Sequence, residues 1–149
     1  MNSMKAPSIY LYFSGDCENA FDRYQEIFGG EISVRSRYSD LPPNPDLPPV
    51  PDHGKDMVMH STLTISDGII IQGADLAEGF GPIFSAGNNF AITLTVESKS
   101  EADRIHQELS QDGKVTMPMQ TTFWGSYFGS CTDKYGVNWL INAESAPQT

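Results

Sequence analysis

Positive charge is scarce in this chain. Its 149 residues include 9 Lys and Arg against 19 Asp and Glu, which gives a formal net charge of −10 and an isoelectric point near 4.5. Nucleic acids and anionic membranes are bound through clustered Lys and Arg. The composition therefore predicts a protein that binds neither nucleic acid nor a membrane, and the acidic excess favours solubility.

Cysteine and long apolar runs are also scarce. Cys17 and Cys131 are the only cysteines, one in a predicted helix and one in a predicted strand. We expect small buried thiols in a reducing compartment, although the sequence does not exclude a bridge between them. No apolar run approaches the ~20 residues of a membrane span, and the polar start MNSMKAPS is not a signal peptide. The expected location is cytoplasmic.

Only three histidines are available for acid–base chemistry or metal binding. His106 lies among Gln and Arg on a predicted helix and is expected at the surface, and His53 lies in a Pro-rich loop where a turn role is expected. His60 opens a predicted strand and by alternation shares a face with Thr62 and Thr64. A histidine in a pocket can act as a general base near neutral pH. No Ser-His-Asp arrangement, phosphate loop or CxxC pair is present.

A strand followed by a helix is predicted near the start of the chain. SIYLYF alternates apolar residues from Ser8, and GDCENAFDRYQEIFGG carries them at helical spacing. Asp16 is the predicted N-cap, and Gly29 and Gly30 end the helix because glycine accepts positive φ.

The same pattern returns in the second half. NFAITLTV alternates from Asn89, and the following ESKSEADRIHQELSQDGK predicts a helix. Ser98 and Glu101 form a predicted capping box, and Gly113 is predicted to close the helix.

The two halves superpose at constant offsets. Gly30 and Gly113 differ by 83, whereas STLTISDGIIIQ and GSCTDKYGVNWL differ by 68. The difference, 83 − 68 = 15, is a Pro-rich insertion at about 41–56. Tight turns are predicted at Asp67-Gly68 and Tyr135-Gly136. We predict an α+β fold, a single domain over 1–149, built from tandem βαβββ modules at about 7–75 and 88–142.

Alternation divides the strand residues between two faces, because a helix covers only one face of each sheet. Apolar residues are predicted to lie under the helices: Ile9, Leu11, Phe13, Ile92, Leu94, Val96, Val137, Trp139 and Ile141. The opposite face is polar and aromatic and suits a small-molecule cavity: Ser8, Tyr10, Tyr12, Gln72, Ala91, Thr93, Thr95, Asn138, Leu140 and Asn142.

Both tryptophans lie in TTFWGSYFGSCTDKYGVNWLIN. Trp139 falls on the buried face of a strand and is predicted to be core. Trp124 lies beside Gly125 in a loop-like segment, and it is the better candidate for a ligand contact.

Nearly the whole chain resembles one known family. YLYFSGDCENAFDRYQEIFGGEI, MVMHSTLTI, GNNFAITLTVESKSEAD and especially FWG…DKYGVNW resemble the PhnB-like branch of the vicinal-oxygen-chelate superfamily. That superfamily includes glyoxalase I, fosfomycin and bleomycin resistance proteins and extradiol dioxygenases. The resemblance implies a glyoxalase/bleomycin-resistance-type half-barrel pair and a homodimer. Some members carry a 3-demethylubiquinone methyltransferase label, but no glycine-rich strand-to-helix turn or doubly wound sheet is predicted here.

Metal-using relatives place ligands on the first and last strands of each module. The corresponding positions are Ser8, Gln72, Ala91 and Leu140, and 91 − 8 = 83 and 140 − 72 = 68 match the repeat. Divalent metals in such folds favour imidazole and carboxylate ligands. Ser, Ala and Leu cannot replace them, and the Gln72 amide is a weak ligand alone. We therefore expect no catalytic metal and no cofactor.

Two classes of function remain. The first is a metal-free small-molecule binding protein, like the antibiotic-binding members of the superfamily, with these ligand contacts: Tyr10, Tyr12, His60, Gln72, Trp124 and Asn138. The second is a metal-dependent lyase, isomerase or dioxygenase-like enzyme with ligands elsewhere. The Pro-rich insertion is either a flap over the first module's cavity or a loop packed against a partner subunit.

Overall fold

The fold is α+β, as predicted. The computed structural model describes residues 3–144. Its first compact unit ends at Phe84 and its second begins at Ser85. Each unit holds one helix and one four-stranded sheet in the order strand, helix, three strands. The tandem βαβββ arrangement predicted from the repeat is therefore confirmed.

The first unit is built from β1 (Ile9–Phe13), α1 (Cys17–Phe28), β2 (Glu31–Arg37), β3 (Val58–Ser66) and β4 (Ile69–Asp75). The spatial order of its strands is β1-β4-β3-β2. β1 runs parallel to β4, and the other pairs are antiparallel. The insertion between β2 and β3 carries single 3-10 turns at Tyr38–Asp40 and Asp52–Gly54.

The second unit is built from β5 (Ile92–Val96), α2 (Lys99–Ser110), β6 (Lys114–Thr121), β7 (Tyr127–Thr132) and β8 (Asn138–Ala143). Its order is β5-β8-β7-β6, and β5 and β8 are again the parallel pair. Both sheets therefore place the first strand of the unit beside its last strand.

Strand register confirms both offsets of the repeat. Ile9 lies opposite Ile71 in the first sheet, and Ile92 lies opposite Trp139 in the second. These pairs are related by 92 − 9 = 83 and 139 − 71 = 68. The same residue positions therefore meet in both units.

Gly30 and Gly113 serve the same purpose in the two units. A Cβ on Gly30 would lie 2.3 Å from the carbonyl oxygen of Thr64, and a Cβ on Gly113 would lie 2.3 Å from that of Thr132. Only glycine allows this close approach of the chain before β2 and β6 to the neighbouring strand.

Apolar side chains of α1 and β1 form the core of the first unit. Phe13 and Phe21 are at most 1% exposed, and their rings meet edge to face with centroids 6.2 Å apart. Full burial of one such ring contributes roughly 1.5–3 kcal/mol to folding. In the second unit Trp139 is fully buried, as predicted, and its indole Nε1–H donates to Asp133 Oδ2 at 2.9 Å.

Asp75 is a buried carboxylate that joins three segments of the first unit. Its Oδ1 accepts from the backbone N–H groups of Gly15 and Cys17, at 2.8 and 3.0 Å, and its Oδ2 accepts from that of Val58 at 2.9 Å. A buried carboxylate is stable when its oxygens accept several hydrogen bonds. Asp75 thus fixes the start of α1 against the start of β3.

Two local predictions were wrong and one was half right. Asp16 occupies the predicted N-cap position of α1, but its side chain makes no capping hydrogen bond. His106 is buried rather than solvated, because α2 turns it towards β7, where Nε2 lies 3.0 Å from the carbonyl oxygen of Ser130. Past α2 the left-handed residue is Asp112 (φ 59°), whereas Gly113 is required for close approach.

The remaining cap prediction was half right. Ser98 Oγ accepts from the backbone N–H of Glu101 at 3.2 Å, as a capping box requires. The Glu101 carboxylate, however, pairs with Arg104.

Both cysteines are buried and free, as predicted. Burial, together with the nearby Asp133, raises the pKa of Cys131 to about 12, so its thiol is neutral at physiological pH. Within residues 3–144, neither helix has the length and apolar content needed to cross a membrane.

Candidate functional site

The first sheet has an accessible face on the side away from α1. Leu11 and Phe13 are at most 3% exposed, whereas the alternating Tyr10 and Tyr12 are 40% and 54% exposed. Strand register places further polar side chains beside the two tyrosines. We call this surface the first-sheet face and define it by Tyr10, Tyr12, His60, Thr62 and Gln72.

A hydrogen-bonded chain crosses the first-sheet face. The Tyr10 hydroxyl lies 3.1 Å from His60 Nδ1, and the Thr62 hydroxyl lies 3.1 Å from His60 Nε2. Both nitrogens of the imidazole are thus engaged by hydroxyl groups. We call this arrangement the Tyr10–His60–Thr62 chain.

Two further predicted contacts lie beside this chain. Gln72 is opposite Tyr10 on one side and opposite Thr62 on the other, so the amide stands between the two hydroxyl-bearing strands. The Tyr12 ring lies 5.2 Å from that of Tyr10 at an interplanar angle of 45°. The structure therefore brings together four of the six predicted contact residues: Tyr10, Tyr12, His60 and Gln72.

The first-sheet face is close to electrically neutral around the chain. Burial, followed by the neighbouring Tyr12, raises the pKa of Tyr10 above 10.0, so its phenol is a neutral hydrogen-bonding group. The side chains of Arg35 and Arg37 pair with Glu18 of α1, on the helix side of the sheet. These arginine charges thus lie on the opposite side of the sheet from the tyrosines.

The four positions implied for metal ligands do not form a metal-binding group. Ser8 and Ala91 lie just before β1 and β5 and are exposed, and Gln72 and Leu140 are half-buried. Across residues 3–144 no three His, Cys, Asp or Glu side chains converge as a set able to hold a metal ion. The donors at these positions are one hydroxyl and one amide, which fit a divalent transition metal poorly.

Asn138, a predicted contact in the second unit, is engaged in local structure. Its Oδ1 accepts from the Thr132 hydroxyl at 2.8 Å, and its Nδ2 donates to the carbonyl oxygens of Gly87 and Phe90 at 2.9 and 3.3 Å. The side chain therefore ties the segment before β5 to β8. A ligand contact at Asn138 stays a prediction.

Trp124 lies in the turn between β6 and β7, which its neighbours hold in shape. The Thr122 hydroxyl donates to the carbonyl oxygen of Ser126 at 2.8 Å and accepts from its N–H at 3.2 Å. Phe123 is 98% exposed and Trp124 59% exposed, and their rings meet at right angles 4.9 Å apart. Ligand contact by Trp124 also stays a prediction.

The Pro-rich insertion folds around a hollow of about 290 Å³. Its lining is largely apolar: Leu41, Pro42, Pro43, Asn44, Leu47, Pro48, Pro49, Val50 and Phe80. The Phe80 ring also contacts the Tyr38 ring, with centroids 5.0 Å apart and an interplanar angle of 56°. The insertion thus contacts the first unit through Phe80, which follows β4.

Sequence reasoning missed the part played by Thr62. Alternation predicts that Thr62 shares a face with His60, but it does not reveal which hydroxyl groups bind the imidazole. Thr62 is 9% exposed, so it orients His60 from beneath and offers little surface of its own. The geometry adds Thr62 to the site as a positioning residue.

The tandem βαβββ units define a class of protein. A glyoxylase/bleomycin resistance protein/dioxygenase domain from Frankia sp. EAN1pec has the same fold, with a TM-score of 0.63 and 14% identity over 99% of this chain and 96% of that one. Protein PA1353 of Pseudomonas aeruginosa is more similar, with a TM-score of 0.78 and 31% identity over 96% of this chain and 100% of that one. The chain therefore has the glyoxalase/bleomycin-resistance-type fold.

Residues 5–142 match the family model described as 3-demethylubiquinone-9 3-methyltransferase, and the chain belongs to this family, the PhnB-like branch of the fold. The PhnB protein of Bacillus cereus has a TM-score of 0.73 and 27% identity over 93% of this chain and 99% of that one. Protein YjdN of Escherichia coli strain K12 is 29% identical over 143 residues, covering 91% of this chain and 92% of the relative.

Proposed function

We propose that this protein binds a small molecule against the first-sheet face without a catalytic metal. The observation that carries the proposal is the Tyr10–His60–Thr62 chain, which lies beside the exposed Tyr12 ring. Small-molecule sites combine aromatic surface with a few fixed polar groups that orient the ligand. The first-sheet face has both features: its aromatic rings offer area for stacking, and its hydroxyl groups offer hydrogen bonds that can orient a ligand.

The bonding of His60 supports binding without a metal. A histidine that ligates a metal must offer one ring nitrogen to the ion, while the other nitrogen is oriented by a neighbour. Here hydroxyl groups occupy both nitrogens. A metal at His60 would displace Tyr10 or Thr62, and the side chains that strand register places nearby, Ser36 and Gln72, offer one hydroxyl and one amide.

The start of α1 gives no support to methyl transfer as the activity. Only Ser14, Gly15 and Asp16 connect β1 to α1, so this turn is not glycine-rich. The N–H groups of Gly15 and Cys17 are bonded to Asp75. The proposal therefore concerns binding and rests on the sheet face.

Titration of EDTA-treated protein with planar aromatic compounds tests the proposal. In isothermal titration calorimetry we expect Tyr10→Phe to weaken binding about five- to tenfold, since a hydrogen bond contributes about 1 kcal/mol. Tyr127→Phe is the matched control, because the Tyr127 hydroxyl bonds to Asp103 of α2 in the second unit. Binding that needs an added divalent metal, or that Tyr10→Phe and Tyr12→Ala leave unchanged, would overturn the proposal.

The homodimer and the cytoplasmic location remain proposals supported by the family resemblance. Sedimentation equilibrium of the purified chain tests the first: a mass of twice 16.4 kDa is expected, and a single-chain mass at micromolar concentration would contradict it. Cell fractionation tests the second, with recovery in the cytoplasmic fraction as the expected result.

A further inference from the structure

We propose that the first-sheet face selects aromatic ligands that carry an anionic oxygen, and that His60 takes up a proton from solvent when such a ligand binds. This inference rests on the proposed function and names the ligand class for the same site. Its basis is the number of hydrogen atoms that the Tyr10–His60–Thr62 chain can direct outward.

A neutral imidazole has one N–H donor and one acceptor nitrogen. One hydroxyl in the chain must therefore accept from His60 while the other donates to it. The hydroxyl that accepts keeps its own hydrogen for a ligand, and the hydroxyl that donates has only lone pairs left. With His60 neutral, the exposed Tyr10 hydroxyl keeps its hydrogen for a ligand in one tautomer only, because in the other tautomer Tyr10 donates to His60 and the spare hydrogen belongs to the buried Thr62.

A protonated imidazole donates from both nitrogens. Tyr10 and Thr62 then both accept from His60, so the exposed Tyr10 hydroxyl always keeps its hydrogen for a ligand. The ring also gains a positive charge between the two hydroxyl groups. An anionic oxygen gains from both changes, whereas a neutral amide gains little because its N–H groups require acceptors. An anionic ligand and a proton on His60 therefore stabilise each other.

The neighbouring strands place little competing charge near the imidazole. Tyr10 and Tyr12 face it from β1, Gln72 is offered by β4, and Ser36 lies opposite His60 on β2. The adjacent Arg35 and Arg37 are paired with carboxylates of α1, namely Glu18 and Asp22.

The carboxylate in register with this face is distant from the imidazole. Glu31 pairs with Thr64, four residues along β3 from His60, which is roughly 13 Å at the usual strand rise. His60 can therefore supply the positive charge for an anion at Tyr10 without a carboxylate beside it.

Two probes of the same shape test the inference, 2-naphthoate and 2-naphthamide. Histidine imidazoles change charge between about pH 5 and 8, whereas a carboxylate stays ionised over most of that range. We expect the affinity for 2-naphthoate to rise about tenfold from about pH 8 to pH 5.5, and that for 2-naphthamide to change less than about twofold. Calorimetry near pH 7 in phosphate and in Tris should show uptake of a fraction of one proton with 2-naphthoate only.

His60→Gln removes the imidazole and keeps a side chain that can bond to hydroxyls. We expect it to abolish the pH dependence and the proton uptake with 2-naphthoate. His53→Gln is the matched control, because the His53 side chain is 68% exposed in the Pro-rich insertion and lies 3.8 Å from Glu78. If His60→Gln fails to fold, Tyr10→Phe provides the second test, and it should reduce the preference for 2-naphthoate severalfold, because the hydroxyl donor is lost while the imidazole remains.

The outcomes separate the two proposals. Equal binding of both probes at pH 5.5, weakened by Tyr10→Phe, would refute the anion preference and leave small-molecule binding in place. Binding of neither probe, or binding insensitive to Tyr10, would refute both. A purely structural role of the chain predicts no proton uptake with either probe.

Discussion

The two units share a backbone and differ in the face that each sheet turns away from its helix. At the repeat offsets, Tyr10 corresponds to Thr93 and Gln72 corresponds to Leu140. Tyr10 lies opposite Gln72 in the first sheet, and Thr93 lies opposite Leu140 in the second. The other two members of the Tyr10–His60–Thr62 chain, His60 and Thr62, correspond to Phe128 and Ser130. The second sheet thus keeps the register and lacks the titratable chain.

Side chains at the corresponding positions of the second unit serve local structure. The Ser130 hydroxyl lies 2.6 Å from that of Thr116, and the Phe128 ring lies 6.4 Å from that of Trp124. Buried residues fix register, because a shift by one residue would turn the core face to solvent. The exposed face carries no such constraint, so its chemistry can differ while the fold stays the same.

The largest expected effect tests the shared backbone. Gly30→Ala and Gly113→Ala each bring a Cβ to 2.3 Å from a carbonyl oxygen. We expect each to lower the free energy of unfolding by about 2–4 kcal/mol in urea titrations. The loss should be greater at Gly30, which also has a φ of 88°.

Gly68→Ala is the control for backbone conformation alone. Gly68 has a φ of 79°, and nothing lies within 4 Å of its added Cβ. Gly68→Ala should lower the free energy of unfolding by about 1–2 kcal/mol. If Gly113→Ala cost no more than Gly68→Ala, close approach would not be the common requirement of the two units.

The repeat was predictable because residue spacing and glycine positions can be read directly from the sequence. Helical spacing, strand alternation and single glycines such as Gly30 and Gly113 recur at offsets of 83 and 68. Both offsets reappear in the strand register. Trp139 was predictable as core for the same reason. The alternation that places Ile141 under α2 places Trp139 there too.

Side-chain partners were not predictable from this pattern. His106 was expected at the surface because its sequence neighbours are polar, yet the helical stripe of Ala102, Ile105 and Leu109 turns it towards β7. Asp16 has the residue type of a cap, but the N–H groups around it are bonded by Asp75, nearly sixty residues away. Alternation assigns a face, and only the three-dimensional contacts assign a partner.

The second prediction compares two buried carboxylates with the same bonding pattern. Asp75 and Asp133 each accept two backbone N–H groups at Oδ1 and one further donor at Oδ2. Asn at either site would set an amide N–H₂ against that third donor. We expect Asp75→Asn and Asp133→Asn to cost about 2–3 kcal/mol each in urea titrations.

A double-mutant cycle sharpens this comparison. The third donor at Asp133 is the Trp139 indole N–H, which Trp139→Phe removes, whereas the third donor at Asp75 is the backbone of Val58. Asp133→Asn should therefore cost about 1 kcal/mol less in the Trp139→Phe background. If Asp133→Asn lowered the free energy of unfolding equally in both backgrounds, the hydrogen bond to the indole would not contribute to the stabilising effect of Asp133.

The smallest expected effect compares the ion pairs that an arginine forms with each helix. Arg35 of β2 reaches α1, where it pairs with Asp22 at 2.8 Å and Glu18 at 3.5 Å, and its side chain is 23% exposed. Arg104 pairs with Glu101 and Glu108 of its own helix α2, and its side chain is 42% exposed.

Exposed pairs within a helix contribute about 0.3–0.5 kcal/mol, and a less exposed network between elements contributes more. Arg35→Met should therefore cost about 1 kcal/mol and Arg104→Met under about 0.5 kcal/mol, because methionine keeps much of the apolar stem. About 1 M NaCl should reduce both losses in parallel urea titrations, since salt screens exposed charges. An Arg35→Met loss that salt leaves unchanged would contradict a tie between β2 and α1 that depends on the charge of Arg35.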